Sequence, residues 1–406
     1  MRVLIIAHMF PLNGSDMACT QVVVRQAIEL ESIGAEVHVV APIPAAPWLL
    51  RCLRPRWRAF SAVPHRERVK GLDVIHPRFV QFPWALSLSS DGRRVATAAR
   101  RAIAQYWPGT VFDIIHAHFG LPDGEAACSI GRRLAIPVVV TFQSTDVDST
   151  IRRSRACRQA LDRVVGEATV VIAPSPNMEL KLWRSLHCRA KTIAYGTDVE
   201  MREDRLEDSY QTSDRRLHVV TVSRLLRRKG IDIAIRAIDR LSRAGTPVEY
   251  TIVGDGPCRT ELEELVKSLS LNDVVTFVGW QTKPCVNVFL RKATVFCLTS
   301  WGETLGVAYL EAMSAGLVVI ACQGEGVDGI VEHRVTGLLV PVRDVGAVAD
   351  ALLWSRDHAL ESAAIGRRAQ DLVYGKYTWK STTLTLMELY HVSIEAANRD
   401  DMGGTE

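Results

Sequence analysis

The chain has 406 residues, 48% hydrophobic and 23% charged, which is the composition of an ordinary globular protein long enough for two domains. A net charge of +4 is too small to mark the whole chain as a nucleic-acid binder, and nine cysteines without a C-x-x-C pair or zinc-site spacing suggest reduced thiols. No apolar run reaches the ~18 residues of a spanning helix, and Met1–Pro11 lacks a cleavage-site pattern, so a cytoplasmic protein with at most peripheral membrane contact is expected.

Short β-branched runs alternate with helical segments. Val3–Ala7 reads as a first buried strand, Met17–Ile33 as a helix and Glu36–Ala41 as a second strand. In the loop after the first strand, Gly14 could bring backbone N–H groups against a phosphate. That loop has no G-x-G-x-x-G, which argues against a dinucleotide cofactor. Between Arg51 and Lys70 seven basic residues face one acid, Glu67, a local charge of +6. Within residues 47–60, Trp48, Trp57 and Phe60 stand among four arginines. Two readings stay open there: a basic helix packed on its own domain, or a face suited to an anionic membrane surface. Pro55 interrupts any single long helix.

Ile114–Ala117, Pro137–Phe142 and Val170–Ala173 continue as strands, with Gly124–Ala135 as an intervening helix. His116 and His118 are two apart and so share a strand face. No third ligand stands nearby in sequence, so hydrogen-bonded histidines are expected over a metal pair. Thr141-Phe-Gln-Ser-Thr-Asp146 ends the next strand in a polar cluster.

The charged, apolar-poor stretch Glu200–Arg216 divides the chain. The expected layout is a first domain over 1–200, a linker over 201–216, a second domain over 217–377, a helix over 378–397 that could cross back to the first domain, and a loose tail over 398–406. After the linker the alternation restarts. Strands are expected at Leu217–Ser223, Val248–Gly254, Val274–Val278, Ala293–Leu298 and Val318–Ala321. Helices are expected at Ile231–Arg243, Arg259–Leu269 and Val307–Ala315. This grammar implies an α/β protein of two doubly wound parallel sheets covered on both faces. Such sheets bind ligands at the carboxyl ends of their strands, so a site in a cleft between facing ends is expected.

Three segments of the second half carry chemistry. Val222-Ser-Arg-Leu-Leu-Arg-Arg-Lys-Gly-Ile231 puts Arg224 and Lys229 in a strand-to-helix loop, where a diphosphate could be gripped or where a basic loop could simply be solvated. Gly254-Asp-Gly-Pro257 is a tight turn whose glycines can be purely conformational. Trp301-Gly-Glu-Thr-Leu-Gly-Val-Ala-Tyr-Leu-Glu-Ala-Met313 sets Glu303 and Glu311 in an apolar segment, with a helix start near Gly306. That places the two carboxylates roughly 8–12 Å apart, on either side of a helix N-terminus that favours anions. A ligand with phosphate in its middle and hydroxyls at both ends would fit.

These motifs recur in order with Thr276-Phe-Val-Gly279, Gly326-Val, Ile-Val-Glu332 and Thr336-Gly-Leu-Leu-Val-Pro341. Together the set resembles the retaining family 4 glycosyltransferases of the GT-B fold. In the first half the resemblance runs through Gly14, His116-Ala-His118, Asp146 and Tyr195-Gly-Thr-Asp198. Departures are Gln143-Ser144, where many relatives carry histidine and glycine, and Asp328-Gly329, where Pro-Glu is common.

The resemblance implies sugar transfer from a nucleotide-diphosphate donor to a glycan or lipid-linked acceptor, with no cofactor, metal or nucleic acid. It assigns the diphosphate to Arg224 and Lys229, the transferred sugar to Glu303 and the ribose to Glu311. Gly14, Gly279, Trp280, Thr304, Leu305, Gly306 and Val307 line the donor, and His118, Gln143 and Asp146 lie on the acceptor side. Two other classes share parts of this pattern: a nucleotide-sugar epimerase of the same architecture, and a non-catalytic nucleotide-sugar-binding protein.

Overall fold

The computed structural model describes residues 1–11, 18–45, 55–82, 87–199 and 216–403. Gly14, residues 47–54 of the basic aromatic stretch with Trp48, all of the expected linker but Arg216, and the last three residues lie outside the described residues. The chain divides into two compact units.

The first unit comprises Met1–Pro174, Met178–Tyr195 and Thr382–Glu406. Its strands are β1 (Arg2–Ile6), β2 (Glu36–Val40), β3 (Ile43–Pro44), β4 (Arg66–Val69), β5 (Leu72–Ile75), β6 (Arg78–Phe79), β7 (Ile114–His118), β8 (Val138–Thr141), β9 (Val170–Ala173) and β10 (Lys191–Thr192). Eight of these form one sheet in the order β10-β9-β8-β7-β1-β2-β5-β4, while β3 pairs with β6 alone. Val3 to Ile6 are wholly buried, as a central strand covered on both faces requires. Every ladder of the large sheet is parallel except the edge hairpin β4–β5, which turns at Lys70 and Gly71, both with positive φ. Three of the four residues of β4, Arg-Glu-Arg-Val, are charged, so hydrophobic patterning does not reveal it.

The last described element is a helix, Trp379–Gly403, which runs beyond the expected 378–397 into the stretch read as a loose tail. Leu386 and Tyr390 of this helix are wholly buried against Val3, Ile5, Val39 and Ile114. The last helix therefore completes the core of the first unit.

The second unit comprises Ser175–Asn177 and Gly196–Ser381. Its strands are β11 (Leu217–Val222), β12 (Val248–Val253), β13 (Val275–Gly279), β14 (Val295–Cys297), β15 (Val318–Cys322) and β16 (Leu338–Val340). All are parallel, in the order β13-β12-β11-β14-β15-β16. This is the doubly wound order of a dinucleotide-binding domain, and its strand order reverses between β11 and β14. Helix Ile231–Arg243 buries Ile231, Ala234, Ile235, Ile238 and Leu241, the stripe expected of a helix seated on a sheet. Loops leaving β11 and β14 consequently meet at the switch point, where such sheets bind ligands.

Candidate active site

In the second unit the loop after β11 carries Arg224, and a single turn, Arg227–Lys229, precedes helix Ile231–Arg243. Gly230 occupies the left-handed region at φ 64°, and a Cβ there would run into Thr299. The Thr299 hydroxyl donates to the Gly230 carbonyl at 2.7 Å, and the Trp301 N–H donates to the Arg228 carbonyl at 2.9 Å. Lys229 is thereby held against the loop after β14, where its ammonium pairs with Glu303. The Arg228 guanidinium lies 3.8 Å from the same carboxylate and donates to the Gly302 carbonyl at 3.1 Å. Arg224 is exposed and makes no ion pair among the described residues.

Glu303 is almost wholly buried. Burial alone would raise its pKa, but the Lys229 charge and hydrogen bond, with Arg228 and the Ser300 hydroxyl, outweigh that and hold it below the usual carboxylate range. Gly326 packs against this residue so closely that a Cβ would come within 2.6 Å of the Glu303 Cβ. The helix after the loop spans Val307–Ser314 and begins at Gly306, with φ 83° and no side-chain cap. Its first N–H groups are therefore left for an anion. Thr304 accepts from the Ser175 hydroxyl through its carbonyl at 2.7 Å, and Leu305 is buried beneath the loop. Glu311, inside the helix, pairs with Lys283 at 2.5 Å. Lys283 opens helix Lys283–Lys292 after β13, so it stands near the expected ribose carboxylate, a partner the sequence reading missed. At the end of β13, Gly279 has φ 73° and Trp280 after it is 53% exposed.

In the first unit, His116 and His118 lie at the carboxyl end of β7 with rings stacked at 4.4 Å. Both ring nitrogens of His116 are engaged, Nδ1 by the Tyr390 hydroxyl at 2.6 Å and Nε2 by the Thr141 hydroxyl at 2.7 Å. His118 is wholly buried, and neither of its ring nitrogens has a partner. Burial lowers its pKa to about 3, so the ring stays neutral. A buried, unsatisfied imidazole carries a desolvation cost that a ligand hydroxyl could offset. Asp146 accepts the Gly120 N–H at 3.0 Å and the Gln143 N–H at 2.9 Å. Burial pushes its pKa up to about 6, against those backbone hydrogen bonds. The Gln143 side chain donates to the Tyr195 hydroxyl.

The sequence reading also missed a pair. His8, at the end of β1, donates its backbone N–H to the buried Asp123 and sets its ring Nδ1 2.8 Å from the same carboxylate. Burial opposes protonation of His8, but the Asp123 charge and hydrogen bond outweigh it and raise its pKa. These partners lie 115 residues apart, so no local pattern announces them. Among the described residues no group of three His, Cys, Asp or Glu side chains could hold a metal ion.

Two Rossmann-like units, the second with cations, carboxylates and an open helix start at its switch point, have the architecture of the GT-B glycosyltransferases. Sucrose-phosphate synthase from Thermosynechococcus elongatus matches this fold with a TM-score of 0.74 and 21% identity, covering 98% of this chain and 100% of that one. Residues 20–200 match the family model described as Glycosyltransferase Family 4, and residues 203–371 that described as Glycosyl transferases group 1. The alpha-D-kanosaminyltransferase of Streptomyces kanamyceticus is 30% identical over 298 residues, which is 68% of this chain and 76% of that one. The GDP-mannose-dependent alpha-(1-6)-phosphatidylinositol monomannoside mannosyltransferase of Mycobacterium tuberculosis is 29% identical over 354 residues, 82% and 87% of the two chains. Further relatives are glycosyltransferases of polysaccharide biosynthesis. The chain belongs to the family 4-like glycosyltransferases and is a hexosyl-transferring enzyme.

Proposed function

We propose that the protein transfers a hexose from a nucleotide-diphosphate sugar to a hydroxyl of a glycan or lipid-linked acceptor, with retention at the anomeric carbon. The observation that carries this reading is the meeting of Lys229 with Glu303 beside the uncapped helix start at Gly306. Arg224, Lys229 and the first N–H groups of helix Val307–Ser314 would surround the diphosphate. Lys229 would turn from Glu303 to the phosphate as the donor enters, freeing Glu303 for hydroxyls of the sugar. Glu311, steered by Lys283, would accept from the ribose, with Gly279 and Trp280 beside the base. In the first unit, His118 would meet a sugar hydroxyl while Gln143 and Asp146 face the acceptor.

The bond from the anomeric carbon to the phosphate oxygen breaks, and its electron pair stays on the leaving diphosphate. The acceptor oxygen bonds to that carbon and passes its proton to the leaving phosphate. Fixed positive charge aimed at the departing oxygen would be the main catalytic contribution. In this reading no metal or cofactor is called on. Among the described residues no helix is long and apolar enough to cross a membrane. The proposal is a cytoplasmic enzyme at the membrane surface, touching it through residues 47–60.

Thermal melting against a panel of nucleotide sugars tests the donor, since a bound ligand raises the melting temperature by mass action. With the donor found, Arg224→Ala should weaken nucleoside diphosphate binding about tenfold or more. Glu311→Gln should chiefly raise KM, and Glu303→Gln should chiefly lower kcat. A panel without any shift, or the reverse pattern in the glutamates, overturns the assignment. A free isomerised sugar formed without acceptor would instead identify an epimerase.

A further inference from the structure

A groove of about 540 Å³ in the first unit runs between the segment His76–Val80 and one face of helix Leu88–Tyr106. Its lining includes Arg78, Arg93, Arg94 and Arg101 and, among the described residues, no carboxylate. Phe79, Val80 and Tyr106 give the lining apolar surface beside those cations. Arg101 is exposed and makes no ion pair among the described residues. Arg93 is 73% exposed, with its nearest carboxylate, Glu125, 3.8 Å away. Arg94 is engaged by Asp91 and lies 5.8 Å over the Phe82 ring.

Beside these cations the surface is apolar. Val80 is 58% exposed and Phe82 54% exposed. Arg78 donates to the Phe60 carbonyl at 2.5 Å and to the Val63 carbonyl, tying helix Pro55–Ala62 to the same wall. That helix carries Trp57 and Phe60 with ring centroids 6.1 Å apart. Arginines beside exposed aromatic and aliphatic side chains match the boundary between phosphate headgroups and acyl chains. A water-soluble anion would not need the apolar border.

We propose that this groove receives the phosphate headgroup of an anionic phospholipid, seating the first unit on a membrane surface through the segment His76–Val80 and helix Leu88–Tyr106. The inference rests on the reading of a transferase that works at a membrane, and it assigns the headgroup to residues apart from the stretch 47–60. Guanidinium groups provide paired donors for phosphate oxygens.

Co-sedimentation of the full chain with vesicles tests it. Vesicles of phosphatidylcholine with phosphatidylglycerol should bind the protein at low salt, and vesicles of phosphatidylcholine alone should not. Replacing Arg93 and Arg101 by serine should weaken vesicle binding by on the order of tenfold. Added salt should act in the same direction. Lysine at both positions should restore most of the binding. The serine variant should keep the wild-type melting temperature and nucleoside diphosphate affinity, since neither arginine belongs to the donor site. Equal binding to neutral vesicles, or a serine variant bound as well as wild type, overturns the proposal. So does glycerol 3-phosphate that stabilises wild type but not the variant while neither binds vesicles; the site then takes a soluble phosphorylated acceptor. Loss of nucleotide binding in wild type would defeat the transferase reading and leave the vesicle result to stand by itself.

Discussion

Asp146 and His118 are both wholly buried polar side chains of the first unit, and they solve the desolvation problem differently. His118 stays neutral, whereas Asp146 has two backbone N–H donors yet still titrates near pH 6 because burial outweighs them. An acid whose folded pKa is raised holds its proton more tightly in the native state than in the unfolded chain. Between about pH 4 and pH 6 the native state therefore binds the extra proton, and stability falls as pH rises through that window. Asp146→Asn keeps an oxygen for the Gly120 and Gln143 N–H groups and removes the titration. The variant should gain stability over wild type progressively from pH 4 to 6 and hold a constant advantage above, on the order of 2–3 kcal/mol. Denaturant unfolding across that range reads the difference directly. Parallel stability curves would show that Asp146 titrates as an ordinary surface acid. The Thr-Phe-x-x-x-Asp spacing makes Asp146 visible in the sequence, but its burial, on which the shift depends, is not.

At the scale of elements, the loop bearing Arg224 is shaped by the turn Gly254-Asp-Gly-Pro257 after the neighbouring strand β12. The Leu225 N–H donates to the Asp255 carbonyl at 3.0 Å, and the Cys258 N–H donates to the Leu225 carbonyl at 3.1 Å. A Cβ on Gly256 would come 2.5 Å from the Leu225 oxygen and 2.8 Å from its nitrogen. Backbone atoms cannot swing aside as a flexible side chain does. The turn's glycines thus do more than relax their own backbone: they admit the adjacent loop. Gly256→Ala should push that loop outward and weaken nucleoside diphosphate binding about as much as Arg224→Ala, roughly tenfold. Gly166→Ala, in helix Arg155–Glu167 where a Cβ meets nothing within 4 Å, serves as the control and should bind normally. Calorimetry showing normal affinity in a folded Gly256→Ala protein would refute the coupling.

For the whole molecule, the largest rearrangement of sequence order is the return of the last helix to the first unit. Tyr390 both fills that core and bonds the His116 ring stacked on His118. Removing residues 382–406 should therefore destabilise the first unit although every strand remains. Loss of large buried side chains costs roughly 2–5 kcal/mol each, and His116 would lose one of its two partners. Proteolysis should then cut within residues 1–174 first, while a fragment containing residues 216–381 resists for longer. A truncated protein as protease-resistant as the full chain would show the helix to be dispensable.

Strand-helix alternation, the loops holding Arg224, Lys229 and Glu303, and the helix start at Gly306 were legible in the sequence, because apolar period and glycine position are local signals. The charged edge strand β4 was not, since its faces carry no apolar alternation. Only the tertiary structure decided that Lys229 meets Glu303, Lys283 meets Glu311 and His8 meets Asp123. It likewise decided that four arginines line one groove, and it bore out the expected crossing of the last helix back to the first unit. The physical reason is that partners, burial and ionisation are set by residues far apart in the chain, whereas the elements carrying them are set by their neighbours.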